Sequence, residues 1–375
     1  MKLIFSSNSS WSIYNFRTAL LLALSAQGFD IYIVAPKGKY LDKLNDLGFQ
    51  TVPIVIDNSS QNILANIKLM FDLFRLYRTL NPDIVLHNAI KPNIYGALVC
   101  RLLGIPVINN ISGLGSIFMS HGVSSFFGKL LYRFSQQKAK KVFFQNSADL
   151  FFFKSNNLIK PEQCSLLPGS GVDLERFKPM LTKRDDALIK FCFVGRLIGD
   201  KGIYEFIAAA KKMKSVYSNV EFYILGELYL KNPTSISKEK LDEWIAEKTI
   251  IYLGKSDSVE KELSKFDCIV LPSYREGMAR VLLEASSMAI PIITSDVPGC
   301  ADVVENNKNG FICKVKNSED LFLQMEKFIS LSYDKRLKMG VYGREKVVKE
   351  FDEKIVIEKY IEAIDQIIQP DGSKF

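Results

Sequence analysis

The sequence lacks an apolar run long enough to cross a membrane, which takes about 20 residues. The longest candidate, TALLLALSA at residues 18–26, is much shorter and directly follows Arg17. The amino terminus reads one lysine, LIF and then the polar SSNSS, without the apolar core of a signal peptide. We therefore expect a cytoplasmic protein with no membrane-spanning segment.

Paired cysteines and Asp-x-Asp motifs are absent, and histidine is scarce. The six cysteines form no CxxC pair, and several lie in apolar segments with strand character: Cys100, Cys164, Cys192, Cys268, Cys300 and Cys313. This spacing favours reduced, buried thiols over disulfides or metal ligands. The chain has only two histidines, His87 and His121. The sequence therefore predicts no metal site.

Acidic residues are few in the first half of the chain. The net charge is +8, but Lys and Arg outnumber Asp and Glu by about two to one in residues 1–180 and balance them in residues 181–375. A basic half is expected to face something anionic. Nucleic acid, a phospholipid surface and a phosphorylated substrate all fit this property.

Short apolar β-rich segments alternate with segments of helical period through both halves. This alternation predicts an α/β protein with parallel sheets and crossover helices, arranged as two Rossmann-like domains. We expect domains at 1–173 and 174–353, divided near LLPGSGVDLERFKP (166–179), and a terminal helical segment at 354–369. The carboxyl ends of the two sheets would face a shared cleft, where open α/β sheets bind ligands.

The second half places basic residues directly after a strand. KFCFVG is followed by GRLIGDKG (195–202), in which Arg196 and Lys201 flank a turn with glycines, and then by a helical segment. Fixed cations and helix amide groups at such a position suit a diphosphate. The alternative is that both cations are solvated loop charges.

Two glutamates stand eight positions apart in EGMARVLLEA (276–285). Glu284 lies on a predicted helix of mostly apolar residues, where a charge is costly unless it is paired. Its carboxylate can accept two hydrogen bonds from vicinal ribose hydroxyls. Glu276 precedes Gly277 in a loop and suits a sugar hydroxyl. The alternative for both is an ordinary surface charge.

Together these motifs resemble the retaining glycosyltransferases of family 4, which have the GT-B fold. The pattern is GR-x4-KG, about seventy residues, a strand, E-x7-E and then PIITSDVPG. The resemblance covers nearly the whole chain, including the linker and the segment KIVIEKYIEAIDQII (354–368), which in the family crosses back to the first domain. EGMARVLLEA and DVPGC are similar to bacterial enzymes that extend sugars linked to polyprenyl diphosphate, including those adding N-acetylhexosamines.

The resemblance implies roles for particular residues. Arg196 and Lys201 would bind the donor diphosphate, and Glu276 would bind the transferred sugar. These three residues would be the catalytic residues. The remaining donor contacts would come from Glu284 at the ribose and from Gly195, Gly277, Met278, Ala279 and Asn8. Arg280 stands at a variable position and receives no role. UDP is the nucleotide implied, the configuration at the sugar would be retained, and no cofactor or metal is expected.

The first half departs from the family pattern. Its first loop, SSNSSWSIYNFR (6–17), contains no glycine; Asn8, Ser9 and Ser10 can contact the donor or serve as turn and N-cap residues. His87 ends a strand and could face the acceptor, and His121 lies in a polar loop. The glycine-containing NNISGLGS (109–116) is the best acceptor-side loop, with Ser112 and Gly113.

Two segments mix basic and apolar residues, IKLMFDLFRLYRTL (67–80) and SSFFGKLLYRFSQQKAKK (124–141). Either can attach the protein to an anionic bilayer, on the inner face of the cell membrane. The alternative for the first segment is an amphipathic helix that packs in the core.

We therefore expect a glycosyltransferase that moves a sugar, an N-acetylhexosamine by analogy, from a UDP-sugar to a lipid-linked saccharide in bacterial polysaccharide or glycan biosynthesis. Nucleic acid is not an expected partner. Two alternatives remain. The first is a nucleotide-sugar epimerase or phosphorylase with the GT-B fold, and the second is a basic nucleic-acid-binding protein with strongly salt-dependent affinity. The second leaves the glutamate and GR-x4-KG motifs unexplained, and fold alone does not decide between these functions.

Overall fold

The computed structural model describes residues 1–56, 62–113, 123–180, 188–229 and 232–368, without the side chains of 123–127. The chain divides into two compact units. The first comprises Met1–Ser170 and the chain from Lys354 onward, and the second comprises Gly171–Glu353.

The first unit is built on a parallel sheet. Its strands are β1 (Lys2–Ser7), β2 (Asp30–Ala35), β3 (Gln50–Pro53), β4 (Ile84–Asn88), β5 (Val107–Ile111), β6 (Lys141–Phe144) and β7 (Cys164–Leu166). They lie in the order β3-β2-β1-β4-β5-β6-β7, and each neighbouring pair is parallel. β4 and β5 are buried along their whole length, because helices cover both faces of such a sheet.

The helices of this unit are α1 (Ser10–Phe16), α2 (Thr18–Ala26), α3 (Lys39–Asp46), α4 (Ile63–Leu80), α5 (Ala97–Leu103), α6 (Val123–Gln136), α7 (Ser147–Ser155) and the terminal α14 (Glu353–Ile368). Buried side chains of α1, α2, α3 and α14 form one apolar layer with the sheet. Buried side chains of α4 to α7 belong to the other layer. The terminal helix therefore packs in the core of the first unit, as the family resemblance implied.

The second unit repeats the plan. Its strands are β8 (Ile189–Val194), β9 (Val220–Leu225), β10 (Ile251–Gly254), β11 (Cys268–Leu271), β12 (Ile292–Ser295) and β13 (Gly310–Cys313). Its helices are α8 (Ile203–Val216), α9 (Lys238–Ala246), α10 (Val259–Leu263), α11 (Arg280–Ser287), α12 (Ser318–Ile329) and α13 (Tyr333–Glu350). The strands are parallel in the order β10-β9-β8-β11-β12-β13, and one apolar cluster spans the unit.

In both sheets the strand order reverses beside the first strand of the unit, between β1 and β4 and between β8 and β11. Open parallel sheets bind ligands at the carboxyl ends of the strands next to such a switch point. The predicted α/β class with two Rossmann-like units is confirmed, and the strand predicted at KFCFVG is present as β8.

Residues 6–17 differ from the expected loop. Helix α1 begins after Ser9, whose side chain accepts a hydrogen bond from the amide of Ser12 at 3.2 Å. The apolar run TALLLALSA forms α2, and the buried residue Arg17 lies between α1 and α2. In the described parts of the chain, none of the helices combines the length and apolar character needed to cross a membrane.

Candidate active site

The loop after β8 carries the first predicted motif. Arg196 is exposed, and its guanidinium lies over the ring of Tyr229, 5.1 Å from the centroid. A 3-10 turn at Gly199–Lys201 then leads through Gly202 into α8. Gly202 has a φ of +75°, and a Cβ there would lie 2.0 Å from the carbonyl oxygen of Pro272. Only glycine therefore lets this turn pack against the end of β11.

The second motif follows β11 and reaches the first one. Tyr274 donates its amide to the carbonyl of Asp200 at 2.8 Å, and the Ser273 hydroxyl donates to the same carbonyl at 3.1 Å. These bonds join two loops separated by about seventy residues of sequence. Lys201 Nζ forms an ion pair with Glu276 Oε1, and the two side chains are 18% and 11% exposed. The structure thus brings together two residues that the sequence assigned to different parts of the donor.

The loop after β12 packs on the Glu276–Gly277 dipeptide. Gly299 has a φ of +76°, and a Cβ there would lie 2.6 Å from the carbonyl oxygen of Gly277. The Gly299 carbonyl accepts the amide of Ala279 at 2.9 Å. The backbone amide of Ala279 is therefore not available in this structure for the donor contact predicted for that residue, because the N–H is already used within the loop. Met278 packs partly buried against the core of the unit.

Glu284 lies on α11 and is buried. Arg280, one turn earlier, donates from Nε to Glu284 Oε1 at 2.9 Å and from Nη1 to the carbonyl of Gly171 at 3.1 Å. Burial raises the pKa of the Glu284 carboxyl; the charges of Arg280 and Arg176 act against this shift, and Glu260 adds to it. Arg176 is itself paired with Glu260 at 3.1 Å. The buried carboxylate is thus paired, as the apolar helix required.

The sequence left Arg280 without a role and did not single out Arg176 or Glu260. One signal was present for Arg280, because residues four apart lie on the same face of a helix. No local signal was available for the pair of Arg176 and Glu260, since 84 residues separate them.

In the first unit, Asn8 is half-buried at the carboxyl end of β1, just before Ser9. The alternative proposed for Ser9, that of an N-cap, is confirmed. A donor contact by Asn8 stays a prediction. Ser112 is exposed and Gly113 half-buried after the carboxyl end of β5, so their acceptor role also stays a prediction. His121 lies outside the described residues.

His87 corrects a prediction. Its ring is 1% exposed. Nε2 lies 3.0 Å from the Tyr77 hydroxyl, and Nδ1 lies 2.9 Å from Oδ1 of Asn109. Burial lowers the pKa of His87 to about 4, with the bond to Asn109 acting in the opposite direction. With both ring nitrogens engaged in the interior, His87 does not face an acceptor; a position at the end of a buried strand did not reveal this.

The partners of His87 extend inward as a network of neutral groups. Asn109 donates to Gln136 Oε1 at 2.6 Å, and Gln136 donates to the Asn93 carbonyl at 2.8 Å. A side chain at Gly96 would collide with the imidazole, since its Cβ would lie 2.4 Å from Nε2. These residues join β4, β5, α6 and the π-helical turn Pro92–Gly96, so their role in this structure is to support the first sheet.

Among the described residues, no group of three or more His, Cys, Asp or Glu side chains is placed to hold a metal ion. The described cysteines are unpaired by disulfides, and burial raises the pKa of the thiols of Cys100, Cys192, Cys268, Cys300 and Cys313. Independence from metals and cofactors stays a prediction.

The two doubly wound units, with cations and carboxylates collected at the carboxyl edge of the second sheet, are those of a GT-B glycosyltransferase. Models of two glycosyltransferase families match the chain: a glycosyl transferase 4-like domain over residues 2–146 and the glycosyl transferases group 1 domain over residues 177–346. The chain belongs to these families and is a hexosyltransferase. This assignment supports glycosyl transfer over the epimerase alternative.

Curated relatives cover most of the chain. One is the N,N'-diacetylbacillosaminyl-diphospho-undecaprenol alpha-1,3-N-acetylgalactosaminyltransferase of Campylobacter jejuni, 27% identical over 98% of this chain and 100% of the relative. Another is the UDP-Gal:alpha-D-GlcNAc-diphosphoundecaprenol alpha-1,3-galactosyltransferase of Escherichia coli, 27% identical over 88% and 87%. A capsular polysaccharide biosynthesis glycosyltransferase of Staphylococcus aureus is 24% identical over 90% of each chain.

Solved structures share the fold. A glycosyltransferase from Rickettsia africae superposes with a TM-score of 0.81 at 17% identity, over 99% of both chains. An Anabaena protein in complex with UDP and glucose superposes with a TM-score of 0.79 at 16% identity, over 98% of this chain and 100% of the other. At such identity the likeness concerns the fold alone.

Proposed function

We propose that this glycosyltransferase moves an N-acetylhexosamine from its UDP-sugar to a saccharide carried on a polyprenyl diphosphate, with retention of configuration. The observation that carries the proposal is the pairing of Lys201 with Glu276 and of Arg280 with Glu284 at the carboxyl edge of one sheet. The Campylobacter and Escherichia relatives support the acceptor class by their names, and the Escherichia relative supports a UDP-linked donor.

The donor diphosphate would lie at the loop of Arg196 and Lys201. As the bond between the anomeric carbon and the phosphate oxygen breaks, negative charge grows on the leaving diphosphate. A fixed cation stabilises that charge without reorganisation, and removing such a group typically costs about 3 kcal/mol of barrier, or roughly a hundredfold in rate. Glu276 orients Lys201 in the absence of donor and would accept a hydrogen bond from the transferred sugar when donor is bound.

The acceptor hydroxyl would attack from the face that the diphosphate leaves. A new bond forms between its oxygen and the anomeric carbon, the bond from that carbon to the phosphate oxygen breaks, and the hydroxyl proton passes to a phosphate oxygen. This sequence balances without a protein base. It agrees with the first unit, whose described histidine, His87, is buried and held by two hydrogen bonds.

The first test is calorimetric titration of UDP, GDP and ADP into the purified protein with a chelator present. We expect UDP to bind without metal, and Arg196→Ala and Glu284→Ala each to weaken binding. Lys212→Ala is the matched control, because it breaks an exposed ion pair with Glu319 and neither residue belongs to either motif. Preferential binding of GDP would replace the donor nucleotide, and no nucleotide binding would contradict the proposed donor site.

A lipid-linked acceptor requires access to a membrane surface, and we propose that α4 provides it. One face of α4 is buried through Leu69, Leu73 and Tyr77. The opposite face exposes large apolar and basic side chains: Ile63, Leu64, Ile67, Phe71, Lys68, Arg75 and Arg78. Exposed apolar residues beside cations are typical of helices that lie on anionic bilayers. The sequence allowed two alternatives for this segment, packing in the core and attachment to a bilayer. In our proposal the two faces of α4 serve both.

The described side chains of the second segment, residues 124–141, give less support for contact with a membrane. On α6, Leu130, Leu131 and Phe134 are each more than one-third exposed, beside an exposed Arg133. The carbonyl of Phe134 accepts a hydrogen bond from Arg101 of α5 at 3.2 Å. These side chains are less exposed than Ile63 and Leu64 of α4. α4 is therefore our choice for the principal contact.

Sedimentation with vesicles of phosphatidylglycerol and phosphatidylcholine tests the choice. Ile67→Asp should release the protein from the vesicles, because it places a carboxylate on the apolar face. Val341→Asp in α13 of the second unit is the matched control, since Val341 is 51% and Ile67 56% exposed. If Phe134→Asp releases the protein and Ile67→Asp does not, α6 is the contact instead. If neither variant changes sedimentation, the membrane proposal fails.

A further inference from the structure

Arg280 occupies the position between the two glutamates of the E-x7-E motif. On α11 it lies one turn before Glu284, and its side chain is 13% exposed against 12% for Glu284. Two hydrogen bonds fix its guanidinium: Nε donates to Glu284 Oε1 at 2.9 Å, and Nη1 donates to the carbonyl of Gly171 at 3.1 Å. The second bond holds the guanidinium to a backbone atom that lies far from α11 along the chain.

The Gly171 carbonyl is itself well fixed. Gly171 has a φ of +71°, and a Cβ there would lie 2.4 Å from the Cα of Glu353. In the next residue, the Val172 carbonyl accepts a hydrogen bond from the amide of Glu353 at 3.2 Å, and the Val172 amide donates to the carbonyl of Phe351 at 2.9 Å. The Arg280 guanidinium is therefore anchored on rigid backbone and determines where the Glu284 carboxylate lies.

A buried carboxylate stays charged only when a nearby cation or hydrogen-bond donor offsets its lost hydration. The charges that face Glu284 are Arg280 on its own helix, Arg176 from the segment after Gly171, and Glu260 on α10. Of these, only Arg280 is shown in direct hydrogen-bond contact with the carboxylate. Arg176 acts mainly on Glu260, with which it forms two hydrogen bonds at 3.1 and 3.2 Å.

We infer that Arg280 is a positioning residue for the donor site: it holds the Glu284 carboxylate charged and oriented so that it can accept both hydroxyls of the nucleotide ribose. This inference rests on the proposed function, which places the ribose at Glu284. It adds a determinant of ribose recognition that acts through Glu284 and does not touch the nucleotide.

The test compares UDP with 2′-deoxy-UDP by calorimetry in the wild-type protein and in Arg280→Gln. The wild-type protein should prefer UDP by about tenfold or more, because a site built for a hydroxyl penalises its loss. Arg280→Gln should lose most of that preference, because UDP loses the contacts of two hydroxyls with Glu284 whereas 2′-deoxy-UDP loses only that of its 3′-hydroxyl. Arg280→Lys should recover part of it, since the cation remains without the planar fork.

A pH series separates positioning from a structural role. Removing Arg280 raises the pKa of Glu284 further, so UDP binding should weaken at a higher pH in Arg280→Gln than in the wild-type protein as the pH is lowered. The two proteins should therefore differ more at pH 6 than at pH 8. A loss of affinity that is equal at every pH and for both nucleotides would overturn the inference.

Lys346→Gln provides the stability control. Lys346 is 12% exposed and paired with Glu305 and Glu350 in the same unit. It should lower the midpoint of thermal unfolding without changing the nucleotide preference. If the wild-type protein itself shows no preference for UDP over 2′-deoxy-UDP, the ribose assignment fails. If the wild-type protein has the preference and Arg280→Gln keeps it, only the role of Arg280 fails.

Discussion

The carboxyl edges of the two sheets can be compared directly, because both sheets reverse their strand order beside the first strand of the unit. In the first unit, the buried side chains near the ends of the neighbouring strands β4 and β5 include the neutral groups of His87, Asn109 and Asn110. In the second unit the corresponding loops carry Lys201 paired with Glu276, and helix α11 carries Arg280 paired with Glu284. The same topology therefore supports two different chemistries.

The difference follows from the balance between desolvation and ligand binding. Neutral amides and an uncharged imidazole can be buried completely if each is hydrogen-bonded, and the first unit uses them to fix the sheet. Ion pairs that remain partly exposed gain little stability, because their mutual attraction is offset by lost hydration. In our proposal the pairs at the second edge serve the sugar nucleotide: Lys201 binds its diphosphate, and Glu284, held by Arg280, accepts its ribose hydroxyls.

The largest effect should come from removing the cation at the second edge. Lys201→Met should lower kcat by about a hundredfold or more, since the leaving diphosphate loses a fixed charge. Steady-state kinetics with the donor and a lipid-linked acceptor measures this change. Because the variant also leaves Glu276 without its partner, Lys201→Met combined with Glu276→Gln should restore stability but not activity.

The control for this prediction is Lys212→Met, which breaks the exposed pair with Glu319 and should leave kcat within about twofold of the wild-type value. If Lys201→Met retains most of the wild-type kcat, the charged edge does not act on the leaving group. The contrast between the two edges would then be one of structure alone.

The second effect concerns stability at the neutral edge. The pKa of His87 is lowered by burial to about 4 in the folded protein, against about 6.5 in an unfolded chain. Stability linked to His87 is therefore complete above pH 6.5 and is lost as the pH falls towards 4, by about 3 kcal/mol. Chemical unfolding of the wild-type protein and His87→Gln over pH 4–7 measures it.

We expect His87→Gln to have a shallower loss of unfolding free energy between pH 6.5 and pH 4, and to retain near-normal kcat above pH 7. Carboxyl groups contribute equally to both proteins, so the difference isolates the imidazole. Equal pH dependence in the two proteins would mean that His87 is not held neutral in the interior. A large loss of kcat at pH 7.5 in His87→Gln without loss of stability would indicate that His87 acts at the acceptor site.

The smallest effect is expected where the terminal helix meets the first sheet. The amide of Asn110 donates to the hydroxyl of Tyr360 at 2.9 Å, and the Tyr360 ring packs against Phe143. Tyr360→Phe should lower the free energy of unfolding by about 1 kcal/mol, because a buried hydrogen bond is lost while the packing remains. Urea unfolding measures this, and Tyr14→Phe, at a half-buried ring, should have a smaller effect.

Much of the second unit was predictable from local sequence. Gly202 lies in the turn that the sequence indicated between a strand and a helix, and Glu284 on an apolar helix required a partner. The motif order indicated that one edge of one sheet would collect these residues. The first unit was less predictable: an imidazole at the end of a buried strand has the same sequence signal whether it faces a ligand or the interior. The contacts of the His87 ring with Asn109 and Tyr77 show that it faces the interior.

The sequence alone determined the α/β class, the alternation of strands and helices and the basic first half, and it supplied the residues that we propose for the donor site. These properties depend on periodicity, composition and short motifs, which are local. Only the tertiary structure decided that Lys201 meets Glu276, that Arg280 is anchored on Gly171, that His87 is enclosed, and that α4 exposes a second apolar face. Each of these depends on which distant segments pack together, and local residue pattern does not specify such pairing.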